Sequence, residues 1–180
     1  MTSAPVLPDL LRRGGVALNV DGERATLTLS RPEVLNAQDP HTWEALAAVG
    51  ETLPDEVRVV VVRGAGRAFS AGLDRRLFTA AEFAGRPGLA TLGTRPAEEV
   101  DTSIAGWQAG FSWLRDPARL TVAAVQGHAI GAGFQLALAC DLRLVADDVA
   151  LRMAEPAMGL VPDLGGTYPL VHAVGHQRAV

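Results

Sequence analysis

The sequence predicts an α/β fold, because segments typical of strands and helices alternate along the chain. The pattern is clearest at residues 120–143, where an apolar strand, a glycine-rich turn and a short apolar helix follow one another. A second, nearly continuous apolar strand at Val57 to Val62 is typical of a sheet covered on both faces. A chain of 180 residues with 48% hydrophobic composition is long enough for one domain with a sizeable core.

The remaining elements follow from turn and cap residues. Asp21 and Gly22 lie between two alternating segments and predict a hairpin. Asp39 followed by Pro40 predicts the start of a helix that runs to about Thr52. The predicted elements are strands at 16–20 and 25–29, a helix at 40–52, a strand at 57–62, a loop at 85–95, a helix at 97–115, a strand at 120–125, a helix at 134–140 and a strand at 142–145.

The two ends of the chain carry separate predictions. Residues 1–14 are expected to be a flexible leader, since Pro5 and Pro8 discourage regular structure, and residues 15–180 are expected to form the core domain. Residues 175–180 predict a helix that begins without a closing element, so we expect the domain to be truncated at its C-terminus. There is no signal-peptide pattern and no apolar run of the ~18 residues that a membrane span needs, which favours a cytoplasmic protein without membrane contact.

Charge and cysteine content narrow the possible partners. A net charge of −4 gives no basic footprint and argues against nucleic acid. All 16 basic residues are Arg, so an anion site would use guanidinium groups or backbone N–H groups. Cys140 is the single cysteine, so no internal disulfide forms, and its apolar surroundings predict a buried thiol.

The glycine-rich turn before the apolar helix is the first candidate functional feature. Gly127, Gly131 and Gly133 allow a sharp change from strand to helix. Such a turn leaves unpaired backbone N–H groups at the helix N-terminus, where the dipole favours negative charge. The sequence therefore predicts an anion hole.

Three stretches together resemble the crotonase family, the enoyl-CoA hydratases and isomerases. They are RPEVLNA at 31–37, AFSAGLD at 68–74, and GHAIGAGFQLALACDLRLVA at 127–146 with AEPAMGLVPDLGGT at 154–167. The order and spacing match the family over about residues 15–180. The resemblance implies a crotonase-like spiral of ββα units, here lacking the usual C-terminal helical segment. It also implies a homo-oligomer, a trimer or hexamer, in the full-length form.

The resemblance implies a site for a coenzyme A thioester, with coenzyme A part of the substrate and no other cofactor or metal. The backbone N–H groups of Leu73 and Ala132 would hold the thioester oxygen, and preorganised donors of this kind are each worth ~10²- to 10³-fold in rate. Asp74 and Arg76 match the family's AD-x-K pattern, which makes Arg76 the candidate phosphate contact. The backbone of four further residues would line the coenzyme A path: Asn36, Ala37, Ser70 and Ala71.

The acid–base residues depart from the hydratase pattern. The resemblance places the two hydratase glutamates at Gln135 and Glu155, and an amide has no proton to exchange near neutral pH. Asp163 falls where double-bond isomerases of the family carry a second carboxylate. Enoyl-CoA hydration and double-bond isomerisation through an enolate both stay open, with Glu155 and Asp163 as proton carriers and Gln135 orienting water or substrate. The alternative is an acyl-CoA-binding protein without turnover.

Other classes of site fit the sequence poorly. Gly64 and Gly66 imitate a dinucleotide fingerprint, but Phe69 replaces its third glycine. Ser70 lacks the glycine that begins a nucleophile elbow. His172 and His176 could share a helical face, but no third metal ligand accompanies them.

Overall fold

The computed structural model describes residues 7–83 and 86–180, and it confirms the α/β architecture. The helices are α1 (Leu7–Gly14), α2 (Pro40–Thr52), α3 (Arg76–Thr79), α4 (Leu89–Leu92), α5 (Ala97–Ser112), α6 (Ala132–Ala139), α7 (Thr167–Val174) and α8 (His176–Ala179). The strands are β1 (Val16–Asp21), β2 (Arg24–Leu29), β3 (Val59–Gly64), β4 (Glu82–Phe83), β5 (Arg86–Pro87), β6 (Leu120–Val125), β7 (His128–Ile130), β8 (Leu142–Val145) and β9 (Ala150–Arg152).

The main sheet has five strands in the order β1-β2-β3-β6-β8. The predicted hairpin is confirmed as the antiparallel pair β1 and β2, and every later pair in this sheet is parallel. Val59 lies opposite both Arg24 and Leu120, which fixes the register at the centre of the sheet. β7 and β9 form a second, parallel pair beside it. Because β6, the turn at 126–127 and β7 lead directly into α6, the two sheets together set the position of that helix.

The predicted flexible leader is wrong for residues 7–14, which form α1, and residues 1–6 lie outside the described residues. Pro8 stands in the first helical turn, where its missing N–H costs nothing. Leu7 and Leu11 pack against the core. Gly14 is buried so closely on α2 that a Cβ atom there would lie 2.6 Å from the Cβ of Ala45. Packing against α2 therefore orders a segment that composition alone marks as loose.

Helices α2 and α5 cover the sheet through an aromatic contact. The ring of Trp43 lies 5.4 Å from that of Trp107 and 6.4 Å from that of Phe111, between centroids. Asp39 caps α2 by accepting the N–H of Thr42, as its sequence predicts. The predicted loop at 85–95 begins at a residue outside the described ones. Its described part contains β5 and α4, so the prediction of irregular structure is wrong there.

Helix α6 is buried along its whole length, as its apolar sequence predicts. Cys140, directly after it, is buried and donates to the carbonyl oxygen of Leu136 at 3.7 Å. Burial raises the pKa of this thiol to about 12. Among the described helices, none is long and apolar enough to cross a membrane.

Candidate active site

The glycine turn before α6 leaves a backbone donor available, as the sequence predicts. Gly131 has a φ of +51°, a conformation that favours glycine, and its N–H donates to the carbonyl oxygen of Arg152 at 2.8 Å. Ala132 opens the helix, so its N–H has no acceptor within the helix. No residue in the described ranges 7–83 and 86–180 accepts a hydrogen bond from it. The donor lies at the positive end of a buried helix.

The loop that carries Leu73 packs directly against this turn. Ser70 pairs with Ala129 of β7 in an isolated bridge, and the N–H of Ile130 donates to the carbonyl oxygen of Ser70 at 3.0 Å. Gly72 has a φ of +86°. A Cβ atom there would collide with the carbonyl oxygen of Ile130 and would lie 3.5 Å from the nitrogen of Ala132. The close approach requires glycine at position 72.

Leu73 forms an isolated parallel bridge with Gln38 and directs its own N–H away from that residue. The N–H of Gln38 donates to the carbonyl oxygen of Gly72 at 2.7 Å, and the N–H of Asp74 donates to that of Gln38 at 2.8 Å. In such a parallel bridge the intervening N–H points to the opposite side. Within the part of the chain that the structure describes, the Leu73 N–H donates to no other group. Leu73 and Ala132 thus contribute unpaired donors from two segments in contact.

Buried polar side chains hold this loop in place. Asn36, with a φ of +54°, accepts the N–H of Arg31 at 2.9 Å and donates to the carbonyl oxygens of Ala65 and Ala68, both at 2.9 Å. Ser70 donates to the carbonyl oxygen of Asn36 at 2.8 Å, and it accepts from the side chain of Gln38 at 3.1 Å. A buried hydroxyl with these partners does not act as an exposed nucleophile. The sequence analysis named Asn36 and Ser70 for the coenzyme A path, which stays a prediction, and it missed Gln38.

Charged side chains surround the end of the same loop. Arg76 contacts the Asp74 carboxylate with two nitrogens at 3.0 and 2.7 Å, and its guanidinium lies 4.9 Å from the ring centroid of Phe83. Arg31 lies between Asp39, at 2.8 Å, and Asp74, at 3.5 Å. The hydrogen bond from Arg76 holds the pKa of Asp74 below its ordinary value, assisted by the charge of Arg31 and opposed by burial. The exposed Arg76, the predicted phosphate contact, is therefore already paired with a carboxylate.

Two of the predicted acid–base residues, Gln135 and Glu155, meet close to the glycine turn. Gln135 and Glu155 are both buried, and Nε2 of Gln135 donates to Oε1 of Glu155 at 2.7 Å. A Cβ atom on Gly131 would lie 3.2 Å from this same Oε1, which places the carboxylate beside the residue that precedes Ala132. The other oxygen, Oε2 of Glu155, is buried and has no hydrogen-bond partner among the described residues. A buried carboxylate oxygen without a partner is costly, and a catalytic role is one explanation for such a group.

Asp163 is linked to this pair only through backbone. The Oε1 atom of Gln135 accepts the N–H groups of Leu164 at 3.0 Å and Gly166 at 3.1 Å. No hydrogen bond within the described residues joins the carboxyl of Asp163 to Glu155. The residue is exposed, yet surrounding protein partly removes its carboxyl from water, and this desolvation raises its pKa above the ordinary value.

Helix α5 and the short 3₁₀ helix that follows it (Trp113–Arg115) hold the turn of Asp163. Gln108 donates to the carbonyl oxygen of Asp163 at 2.6 Å, and Arg115 donates to that of Gly165 at 3.3 Å. Sequence reasoning missed both side chains. Their partners lie 55 and 50 residues further along the chain, and no local motif signals contacts of that range.

The chain is similar to known proteins over most of its length. The family model described as enoyl-CoA hydratase/isomerase matches residues 22–180. A Rhodobacter capsulatus protein provisionally named an enoyl-CoA hydratase is 40% identical over 156 residues, which are 87% of this chain and 55% of that protein. A carnitinyl-CoA dehydratase from Salmonella arizonae is 34% identical over 156 residues, which are 85% of this chain and 54% of that protein.

Among solved structures, a Thermobifida fusca protein with the same provisional name, in complex with acetoacetyl-CoA, has a TM-score of 0.90 and 50% identity. The match covers 98% of this chain and 68% of that one. Its complex with CoA has a TM-score of 0.88 and 49% identity, with 99% and 67% covered. The chain spans about half the length of the curated relatives it matches.

Proposed function

The chain belongs to the enoyl-CoA hydratase/isomerase family, and from that premise we propose that it binds an acyl-CoA thioester and transfers a proton along its enoyl chain. The observation that carries the proposal is that two unpaired backbone donors belong to segments that pack against each other. A Cβ atom on Gly72 would lie 3.5 Å from the nitrogen of Ala132, and neither Leu73 nor Ala132 spends its N–H on another described residue. The matched proteins that are in complex with acetoacetyl-CoA and with CoA support the same ligand class.

The two donors would stabilise the charge that develops on the thioester oxygen. When a base removes a proton next to the carbonyl, the electron pair moves onto this oxygen and an enolate forms. N–H groups fixed by the surrounding fold need no reorganisation at that moment, so they favour the enolate over the neutral thioester. Because only the backbone takes part, the side chains of Leu73 and Ala132 are free to pack.

Glu155 would be the base and Asp163 the second proton carrier. Starting from a 3-enoyl thioester, the Glu155 carboxylate takes a proton from the carbon next to the carbonyl, and the electron pair spreads over the chain and the thioester oxygen. Glu155 then gives this proton to the third carbon from the carbonyl, which moves the double bond into conjugation; alternatively Asp163 delivers a proton there and afterwards takes the one that Glu155 holds. Glu155 is again a carboxylate, and no further reactant is consumed. The unpartnered Oε2 of Glu155 supports this role.

Isomerisation is favoured over hydration because position 135 holds an amide. Adding water across a double bond uses one group to activate the water and one to deliver a proton. Gln135 can do neither near neutral pH, and its hydrogen bonds to Glu155, Leu164 and Gly166 occupy its amide. Proton transfer between two carbons of one substrate needs a single base.

The coenzyme A portion would follow the loop that precedes Leu73. We place its path along the backbone of Asn36, Ala37, Ser70 and Ala71, since the side chains of Asn36 and Ser70 are committed within the protein. Asp74 and Arg76 lie at the end of this path. A phosphate at Arg76 would share its guanidinium with Asp74.

A substrate comparison tests the proposal. The protein is mixed with 3-enoyl-CoA and 2-enoyl-CoA, and the absorbance of the conjugated thioester is followed over time. We expect the 3-enoyl substrate to be converted, and Glu155→Gln to lower kcat by ~10²- to 10⁴-fold. Tight binding with neither substrate changing would instead support the acyl-CoA-binding protein without turnover. Rapid hydration unaffected by Glu155→Gln would contradict the assignment of the base.

A further inference from the structure

We propose that Gln135 is a positioning residue that confines the transferable proton of Glu155 to its Oε2 atom; the inference rests on the proton-transfer role given above to Glu155. The argument starts from the orientation of the Gln135 amide. Its Oε1 accepts two backbone N–H groups, from Leu164 at 3.0 Å and Gly166 at 3.1 Å. The reversed amide would set an NH₂ group against two N–H donors and leave all of them without an acceptor. The NH₂ group therefore faces Glu155.

The orientation of the amide determines which carboxylate oxygen can carry a proton. An amide NH₂ group only donates, so Oε1 of Glu155, at 2.7 Å, must accept and cannot direct a proton at Gln135. Oε2 is buried and has no hydrogen-bond partner among residues 7–83 and 86–180. In the transfer, the C–H bond of the substrate breaks, the electron pair stays on the substrate, and the new O–H bond forms on Oε2. When the proton returns, the O–H bond breaks and a C–H bond forms on the third carbon from the carbonyl.

Two glycines leave space for the amide of Gln135 and the carboxylate of Glu155. A Cβ atom on Gly166 would lie 2.6 Å from Cγ of Gln135, and one on Gly131 would lie 3.2 Å from Oε1 of Glu155. The absence of a side chain at both positions lets Gln135 and Glu155 lie this close to the backbone. Asp163, whose pKa desolvation raises, is the other titratable group of the turn bound by Gln135. The same amide thus joins the turn of Asp163 to the base.

Two substitutions at position 135 separate positioning from simple support of the turn. Gln135→Glu keeps an oxygen for Leu164 and Gly166 but turns a second carboxylate oxygen toward Glu155, and two facing carboxylates share one proton. We expect the acid limb of the kcat–pH profile for 3-enoyl-CoA to move up by at least about one pH unit. Gln135→Met removes the donor, and kcat should fall ~10- to 100-fold with little change in KM.

The control is Gln108→Met, which removes a different amide from the same turn without touching Glu155. Its pH profile should match that of the wild type. A second readout works without turnover: the carboxyl carbon resonance of Glu155, identified by its loss in Glu155→Gln, is titrated in each variant. In Gln135→Glu it should titrate together with the new carboxyl.

The outcomes separate this inference from the proposed function. A wild-type protein that converts neither substrate contradicts the function, while the coupled titration still tests the contact. The inference is overturned if the Glu155 resonance titrates at the same pH in the wild type and in Gln135→Glu, or if Gln135→Glu retains the wild-type pH profile.

Discussion

Two buried amide side chains of the candidate site, those of Asn36 and Gln135, are used differently. Asn36 joins three backbone groups to one another, and all of its polar atoms are engaged. Gln135 joins two backbone N–H groups to a carboxylate, and that carboxylate keeps one oxygen without a partner among the described residues. Every polar side-chain atom of Asn36 thus has a hydrogen-bond partner. The hydrogen bonds of Gln135 end at a carboxylate that has one oxygen without a partner among the described residues.

The difference separates the part of the site that holds the backbone in shape from the part that we propose to react. Saturated buried networks stabilise one arrangement of the backbone, here the one that presents the Leu73 N–H. An unsatisfied buried acceptor lowers stability, so its presence indicates a group reserved for a proton or a ligand. Substitutions on the Asn36 side should therefore change stability first, and those on the Gln135 side should change chemistry first.

The largest expected effect comes from breaking the contact between the two sides. Gly72→Ala introduces a Cβ that collides with the carbonyl oxygen of Ile130, so the Leu73 and Ala132 donors must separate. We expect kcat/KM for 3-enoyl-CoA to fall ~10²- to 10³-fold. Gly22→Ala is the matched control, because Gly22 has a φ of +56° but no atom within 4 Å of its Cβ position. Equal loss in both variants would mean that backbone strain alone explains the effect.

A smaller effect, on stability, is expected from Asn36→Ala. The change removes three hydrogen bonds. It also puts an alanine, whose side chain cannot hydrogen-bond to the backbone, at a φ of +54°. The free energy of unfolding, measured by denaturant titration, should fall by roughly 2–4 kcal/mol. Asn36→Gly loses the same hydrogen bonds but adopts the positive φ without strain. The difference between the two variants therefore separates the strain from the lost hydrogen bonds. Unchanged stability in both would contradict the structural role of this amide.

The smallest effect concerns the charges at the end of the loop. The folded-state pKa of Asp74 is lowered mainly by its hydrogen bond from Arg76. The stabilisation is present above the ordinary carboxyl pKa and is lost as pH falls through the folded-state value. Asp74→Asn should therefore reduce the acid dependence of the unfolding free energy below about pH 4. A slope identical to that of the wild type would contradict the pairing.

Local sequence predicted most elements but not the contacts between them. Asp39 and Pro40 define the start of α2, and Asp21 with Gly22 defines the hairpin, because each acts on its immediate neighbours. Leu7 and Leu11 order α1 only through packing on the core, so the proline-rich composition misled the prediction. The site motifs brought out Gln135 and Glu155. Their hydrogen bond, and the hydrogen bond from Gln108 to the backbone of Asp163, join residues 20 and 55 positions apart in the sequence.

Cys140 has a consequence for a protein proposed to handle thioesters. A thiolate exchanges readily with a thioester and would take the acyl group from coenzyme A, whereas a protonated thiol does so poorly. Burial keeps the one sulfhydryl of the chain protonated at neutral pH, with a pKa of about 12, and shields it from solvent. The chain also contains no lysine whose amine could be acylated. Neither a reactive thiolate nor a lysine amine of this chain is therefore available to take the acyl group from a bound thioester.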